Sequence, residues 1–227
     1  MNNIFAVAID GPAGAGKSTI ARELSKKLGV IYVDTGAMYR AMALYLIREG
    51  ISSGDSEGIS KKCETADISI RFENGEQQVV LNGENVNGLI RTEEVGLMAS
   101  FSSPNPDVRK KLVELQRKLA SEKSVVMDGR DIGTVVLPDA KVKIYLTASS
   151  KVRAKRRFDE LSAKGEKCDM DQIEADIVKR DEQDMNRAIS PLKQADDAIL
   201  VDTSDMTIDE VQKKLMDIVS EKTGVNA

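Results

Sequence analysis

The chain has 227 residues, 41% hydrophobic and 31% charged, a balance that fits one α/β domain or one domain with excursions around a buried core. It contains no histidine and no tryptophan, which excludes His-based acid–base chemistry, Ser-His-Asp triads and most zinc sites. Catalysis is left to carboxylates, lysine, arginine and backbone dipoles, and a formal net charge of −4 disfavours nucleic acid as a bulk partner.

Cys63 and Cys168 lie far apart with no metal-ligand spacing, which predicts a reducing compartment and neither a disulfide framework nor a zinc site. No apolar run approaches the roughly 18 residues that span a bilayer, and the amino terminus shows no signal-peptide pattern. The expectation is a cytoplasmic protein without a membrane partner.

In chain order, residues 4–9 form an apolar run that ends at Asp10, followed by a glycine-rich loop and a helical pattern over 18–28. A second run, 30–33, ends at Asp34 and gives way to a helix over 37–48, whose 42–46 stripe reads as core. Tyr32, Tyr39 and Tyr45 read as packing residues. Residues 67–72 and 77–81 alternate polar with apolar around Asn74-Gly75, which predicts an antiparallel hairpin. A helix over 108–121 precedes the run 125–127, which ends at Asp128. Then come a strand over 142–146, helices over 151–164 and 171–187, a strand over 199–201 before Asp202, and a helix over 208–222. Residues 220–227 read as a frayed end. Continuous β-branched runs alternating with amphipathic helices predict a doubly wound α/β layer fold, a parallel sheet of about five strands with the hairpin inserted between its second and third strands. The stretch 151–168 is unusually basic.

Gly11-Pro12-Ala13-Gly14-Ala15-Gly16-Lys17-Ser18 matches G-x-x-x-x-G-K-[ST] between a predicted strand and a predicted helix, the context that gives this motif its meaning. Glycines let successive backbone N–H groups turn toward phosphate oxygens, and the helix amino terminus adds a favourable field. Lys17 would reach the β- and γ-phosphates of ATP, Ser18 would ligate Mg²⁺, and Thr19 completes the phosphate-binding run. The loop alone does not separate kinases from switches. Guanine-specific switches read their base with Asn-Lys-x-Asp, and the chain has no Asn-Lys dipeptide.

A kinase needs a second anionic site. Asp34-Thr35-Gly36-Ala37-Met38-Tyr39-Arg40 leaves the second strand, and Asp128-Gly129-Arg130-Asp131-Ile132-Gly133-Thr134 leaves the third. Ligands of open α/β sheets bind outside the carboxyl ends of strands, so both loops share an edge with the phosphate loop. Taken singly, the first also fits an N-cap and the second a solvated turn.

These segments resemble the bacterial cytidylate kinase family, together with residues 90–95, Arg180-Asp181-Glu182-Gln183-Asp184-Met185-Asn186-Arg187 and Ala188-Ile189-Ser190-Pro191-Leu192. The resemblance covers essentially the whole chain and departs at Thr35, where that family often has serine. It implies a P-loop NTPase fold with a core over 1–35 and 110–227, a monophosphate-binding region over 36–109 that contains the hairpin, and a lid over about 151–170. It implies ATP and CMP or dCMP as substrates, Mg²⁺ as cofactor, and a monomer. Carried over residue by residue, Arg40, Arg130 and Arg187 would hold the acceptor phosphate, and Thr35 would be among the CMP-binding residues. Ser100, Arg109 and Asp131 would read cytosine, and Arg180 and Asp184 would hold the ribose. Arg153 and Arg157 are the lid arginines for the transferring phosphate.

Three features of the residues agree. Arg180, Asp184 and Arg187 are spaced i, i+4 and i+7 and would share a helix face, although a surface ion-pair ladder has the same spacing. A carboxylate beside a guanidinium, Asp131 with Arg109, matches the amine and acceptors of cytosine. An acceptor phosphate oxygen is already anionic, so no histidine is needed. Asp128 would hold a Mg²⁺-bound water or simply cap the strand end. The remaining rival is a P-loop kinase for another small acceptor such as shikimate. Shikimate kinases carry a Gly-Gly-Gly turn, and this chain has no Gly-Gly dipeptide.

Overall fold

Residues 4–73 and 75–225 are described by a computed structural model. The chain runs β1 (Ala6–Asp10), α1 (Lys17–Leu28), β2 (Ile31–Asp34), α2 (Thr35–Arg48), α3 (Ser56–Cys63), β3 (Ile68–Glu73), β4 (Glu76–Leu81) and β5 (Glu84–Asn85). It continues α4 (Glu93–Ser102), α5 (Pro106–Glu122), β6 (Val125–Gly129), β7 (Val142–Thr147), α6 (Ser150–Ala163), α7 (Met170–Asn186), β8 (Ile199–Asp202) and α8 (Ile208–Thr223).

Five strands form a parallel sheet in the order β2-β6-β1-β7-β8. Val7, Ala8 and Ile9 of β1 are fully buried, which is why that strand reads as an unbroken apolar run: helices cover both faces. On one face Val33 and Met127 pack with Met38, Met42 and Leu46 of α2 and Leu112 of α5. On the other, Ile9, Val126 and Ile144 pack with Ile20 and Leu24 of α1 and Leu215 of α8. The result is a three-layer αβα fold. Because every strand is parallel, the ends at Asp10, Asp34, Gly129 and Thr147 lie along one edge.

The insert is larger than a hairpin. β3 and β4 pair antiparallel as expected, Phe72 opposite Gln77, and β5 adds a third strand against β4. The turn into β5 is Asn82-Gly83, both at positive φ (49° and 84°), the hairpin geometry that Asn-Gly favours. Asn74 of the first turn lies outside the described residues. Two helices of this region have no counterpart among the sequence-predicted elements. α3 is short and buries only Ile59 and Cys63, and α4 buries Val95 and Met98 while Leu97 and Phe101 stay exposed, so neither presents a clean stripe. The frayed end expected over 220–227 is corrected through residue 224: α8 runs to Thr223 and stops at a left-handed Gly224 cap (φ 72°), while residues 226 and 227 at this end lie outside the described part.

Candidate active site

The phosphate loop occupies the turn between β1 and α1. Gly11 has φ +147°, and a Cβ there would sit 1.9 Å from the Leu146 carbonyl oxygen of β7, so no side chain fits. Lys17 is buried and its Nζ donates to the carbonyls of Gly11 and Pro12, each at 2.7 Å. Burial, reinforced by Arg130, lowers the Lys17 pKa, and the carboxylates of Asp128 and Asp10 oppose that shift. The amine is thus folded into its own loop, beside the space it would share with phosphate oxygens.

A hydrogen-bonded cluster stands behind the loop. Ser18 Oγ donates to Asp128 Oδ2 at 3.0 Å and Tyr32 Oη donates to Asp128 Oδ1 at 2.9 Å. Thr35 Oγ1 donates to the Asp128 carbonyl at 2.8 Å. Tyr32 is therefore more than a packing residue, because its hydroxyl orients a carboxylate of the site. Burial and then the nearby Asp34 raise the Asp128 carboxyl to about 6, against the pull of Lys17. Ser18 and Asp128 are hard oxygen donors, and no group of three or more metal-ligating side chains gathers among the described residues. A hydroxyl beside a carboxylate fits Mg²⁺, which keeps several waters and takes substrate phosphates as ligands.

Asp10 carries no role in the sequence reading and shapes the opposite side. Its two carboxylate oxygens accept the backbone N–H groups of Ile132 and Gly133, both at 2.7 Å. These bonds fasten the start of a π-helical turn, Ile132–Val136, and so fix Asp131 just before it. Burial raises the Asp10 carboxyl to about 6 even though both backbone bonds act to lower it. A polar residue ending a buried strand ahead of Gly11 is the signal that marks it.

Asp131 and Arg109 form a buried pair, their side chains 6% and 5% exposed, and the Arg109 guanidinium lies 5.7 Å from the centre of the Tyr39 ring. Arg187 sits 3.9 Å from Asp131 and 3.8 Å from Asp184. Arg130 Nε donates to Asp184 Oδ2 at 2.9 Å. Four of the expected acceptor-site groups, Arg109, Asp131, Asp184 and Arg187, are thereby brought together with Arg130. The shared-face expectation needs one correction. α7 ends at Asn186, and Arg187 follows in an extended conformation (φ −65°, ψ 139°). Its place is set by the returning loop instead: Arg187 Nε donates to the Ser190 carbonyl, and the Leu192 N–H reaches the Asp184 carbonyl at 2.8 Å.

Arg40 projects from α2 and donates to the Ile90 carbonyl at 3.3 Å. Burial, and then repulsion from Arg91, lowers its pKa, while for Arg180 the causes are burial and Arg130. Such crowding of cations is suited to an anion. Ser100 is half-buried on α4.

The two arginines expected in a lid differ. Arg153 is buried and donates to the Ala148 carbonyl (2.9 Å), the Ala13 carbonyl of the phosphate loop (2.9 Å) and Asp181 Oδ2 of α7 (2.6 Å). Arg157 is exposed and pairs with Glu160 at 2.8 Å. Arg156, between them, turns inward to Thr203, donating to its carbonyl at 2.8 Å.

The chain matches the family model described as cytidylate kinase over residues 7–221. The chain belongs to the cytidylate kinase family. It is 50% identical over 219 residues to the cytidylate kinase of Carboxydothermus hydrogenoformans, covering 96% of this chain and 99% of that one. It is likewise 50% identical over 222 residues to the cytidylate kinase of Lactobacillus johnsonii, covering 98% and 96%. Among solved structures, shikimate kinase from Bacteroides thetaiotaomicron shares the fold, with a TM-score of 0.50 at 13% identity over 95% of this chain and 98% of that one. Membership of the cytidylate kinase family and the P-loop kinase fold agree with the layer order described above.

Proposed function

We propose that this member of the cytidylate kinase family transfers the γ-phosphoryl group of ATP to the 5′-phosphate of CMP or dCMP. The observation that carries the reading is the buried Asp131–Arg109 pair set beside Arg130, Asp184 and Arg187, along the sheet edge that also holds the phosphate loop. An acceptor phosphate oxygen attacks the γ-phosphorus, the bond to the β–γ bridging oxygen breaks, and ADP leaves with that oxygen.

Residues 11–19 cradle the ATP phosphates, and Lys17 leaves its two loop carbonyls to compensate charge on the β- and γ-phosphates. Ser18, with Asp128 through a water, would hold Mg²⁺, which when bound neutralises phosphate charge. Arg40, Arg130 and Arg187, with Thr35 nearby, align the acceptor phosphate, and Arg180 and Asp184 take the sugar hydroxyls. Asp131 accepts from the cytosine amine while Arg109 and Ser100 donate to its ring acceptors. Uracil reverses the amine contact and leaves a buried carboxylate facing a carbonyl. Residues 36–109 and about 151–170 act as the closing parts over the core, with Arg153 and Arg157 serving the transferring phosphate. A cytoplasmic setting fits the two unbridged cysteines.

A coupled assay with ATP and, separately, CMP, dCMP, UMP, AMP and shikimate tests this. Turnover concentrated on CMP and dCMP is the expected result. Acceptor-independent hydrolysis alone, or turnover of shikimate or AMP in their place, would overturn it.

A further inference from the structure

The inserted sheet touches the acceptor site at one atypical junction. Among the described residues β2 is an edge strand, paired with β6 alone, and α2 starts at Thr35, the residue after the strand ends. In a strand, the N–H and C=O of one residue point to the same side, so those of an edge residue that face outward have no ladder partner. At Asp34 both groups are met by a single side chain. Gln77 Oε1 accepts from the Asp34 N–H at 2.8 Å, and Gln77 Nε2 donates to the Asp34 carbonyl at 3.1 Å. A carboxamide presents the same acceptor and donor pair as a backbone peptide, so it acts here as a one-residue strand partner.

Gln77 is itself braced. Asn87 Nδ2 donates to the Gln77 carbonyl at 2.8 Å, and Asn87 Oδ1 accepts from the Val79 N–H at 2.9 Å. The insert also reaches the same place from its other end. Arg91 Nη2 lies 2.9 Å from Asp34 Oδ2, while Asp34 Oδ1 caps α2 at the Ala37 N–H at 3.0 Å. The Ile90 carbonyl takes the Arg40 guanidinium. Asp34 is thus gripped through backbone and carboxylate, and the residues it delivers are Thr35, bonded to the end of β6, and Arg40.

We propose that Gln77 is a positioning residue for the acceptor site. Its carboxamide clamp transmits the placement of the inserted sheet to the first turn of α2, and so to Thr35 and Arg40. The inference rests on the reading that Arg40 holds the acceptor phosphate, and it gives the insert a task in acceptor binding that is separate from the phosphate loop.

The test uses the full chain with Gln77→Ala and Gln77→Glu. The glutamate keeps the acceptor for the Asp34 N–H and loses the donor, setting a carboxylate oxygen against the Asp34 carbonyl. KM for CMP is expected to rise about fivefold or more in both variants, since Gln77→Ala loses two hydrogen bonds and Gln77→Glu loses one and adds an acceptor–acceptor repulsion. KM for ATP should stay within about twofold, and kcat should fall less than KM for CMP rises. Unchanged KM for CMP, or a proportionate rise for both substrates, would overturn the proposal. Amide exchange supplies a second readout that does not need an active variant. The Asp34 N–H of the wild-type chain should be protected although β2 is an edge, and an unprotected Asp34 N–H would refute the clamp. Wild-type protein that fails to phosphorylate CMP would instead refute the functional reading, and the exchange result would still report on the clamp.

Discussion

Arg130 and Asp184 meet at 2.9 Å, one delivered by the turn after β6 and the other by the last turns of α7. The contact joins the guanidinium proposed for the acceptor phosphate to the carboxylate proposed for the sugar, so each restrains the orientation of the other. Asp184 is also 3.8 Å from Arg187, so its carboxylate lies between two guanidinium groups.

Replacing Asp184 with alanine is therefore expected to lower kcat/KM for CMP more than for dCMP, because only CMP offers a 2′-hydroxyl. Arg187→Ala should raise KM for both acceptors alike, since they share the phosphate. KM for ATP should hold in both variants. A surface ladder would give a stability loss below about 1 kcal/mol and ordinary kinetics throughout. Steady-state kinetics on the three substrates, with denaturant midpoints alongside, decides between them.

Arg153 and Arg157 lie one helical turn apart and should behave oppositely. Arg153→Ala leaves the buried Asp181 carboxylate and the Ala13 carbonyl without their guanidinium, a change on the order of 3–5 kcal/mol for a broken buried pair. Because Ala13 belongs to the phosphate loop, KM for ATP should rise as well. Arg157→Ala loses an exposed pair and should change stability by no more than about 1 kcal/mol, while kcat falls if the lid brings it to the transferring phosphate. Chemical denaturation and kcat measured on both variants check the contrast, and equal stability losses would contradict it.

Asp10 and Asp128 give stability a pH dependence of defined sign. Both carboxyls are raised by burial from 3.8 to about 6, so between those values the folded chain binds more protons than the unfolded one. Their contribution to unfolding free energy is full below about pH 4 and is lost as pH rises through about 6. Denaturant midpoints across that interval should show this loss, superimposed on the opposite trend of ordinary salt-bridged carboxylates. Asp128→Asn should flatten its share of the slope; an unaltered slope would contradict the assignment.

The layer fold and the phosphate loop were legible because their signals are contiguous: apolar runs ending in Asp10, Asp34 and Asp128, and eight residues of loop. Of the residues proposed for the acceptor, Arg130 and Asp131 stand in a motif at a strand end, whereas Arg109, Asp184 and Arg187 were named only through the family resemblance. Contacts that depend on sheet register were not legible. Tyr32 reaches Asp128 only because β2 and β6 pair with Asp34 opposite Asp128, and Gln77 reaches Asp34 across 43 positions. The basic stretch hid its own division of labour, because α6 buries only Arg153 and Ala154 fully and gives no apolar stripe from which facing can be read. Asn82-Gly83 was a readable turn signal for the third strand of the insert, but a two-residue strand falls below any alternating pattern.

Selection of cytosine falls, in the proposed function, to the buried Asp131–Arg109 pair. It is tested most directly by kcat/KM for CMP and for UMP in Asp131→Asn beside the wild type. Asparagine can also donate to the carbonyl at position 4 of uracil, so the CMP-to-UMP ratio should shrink by about 1–3 kcal/mol, roughly 5- to 150-fold. A ratio that stays at the wild-type value would contradict the account and place base selection elsewhere.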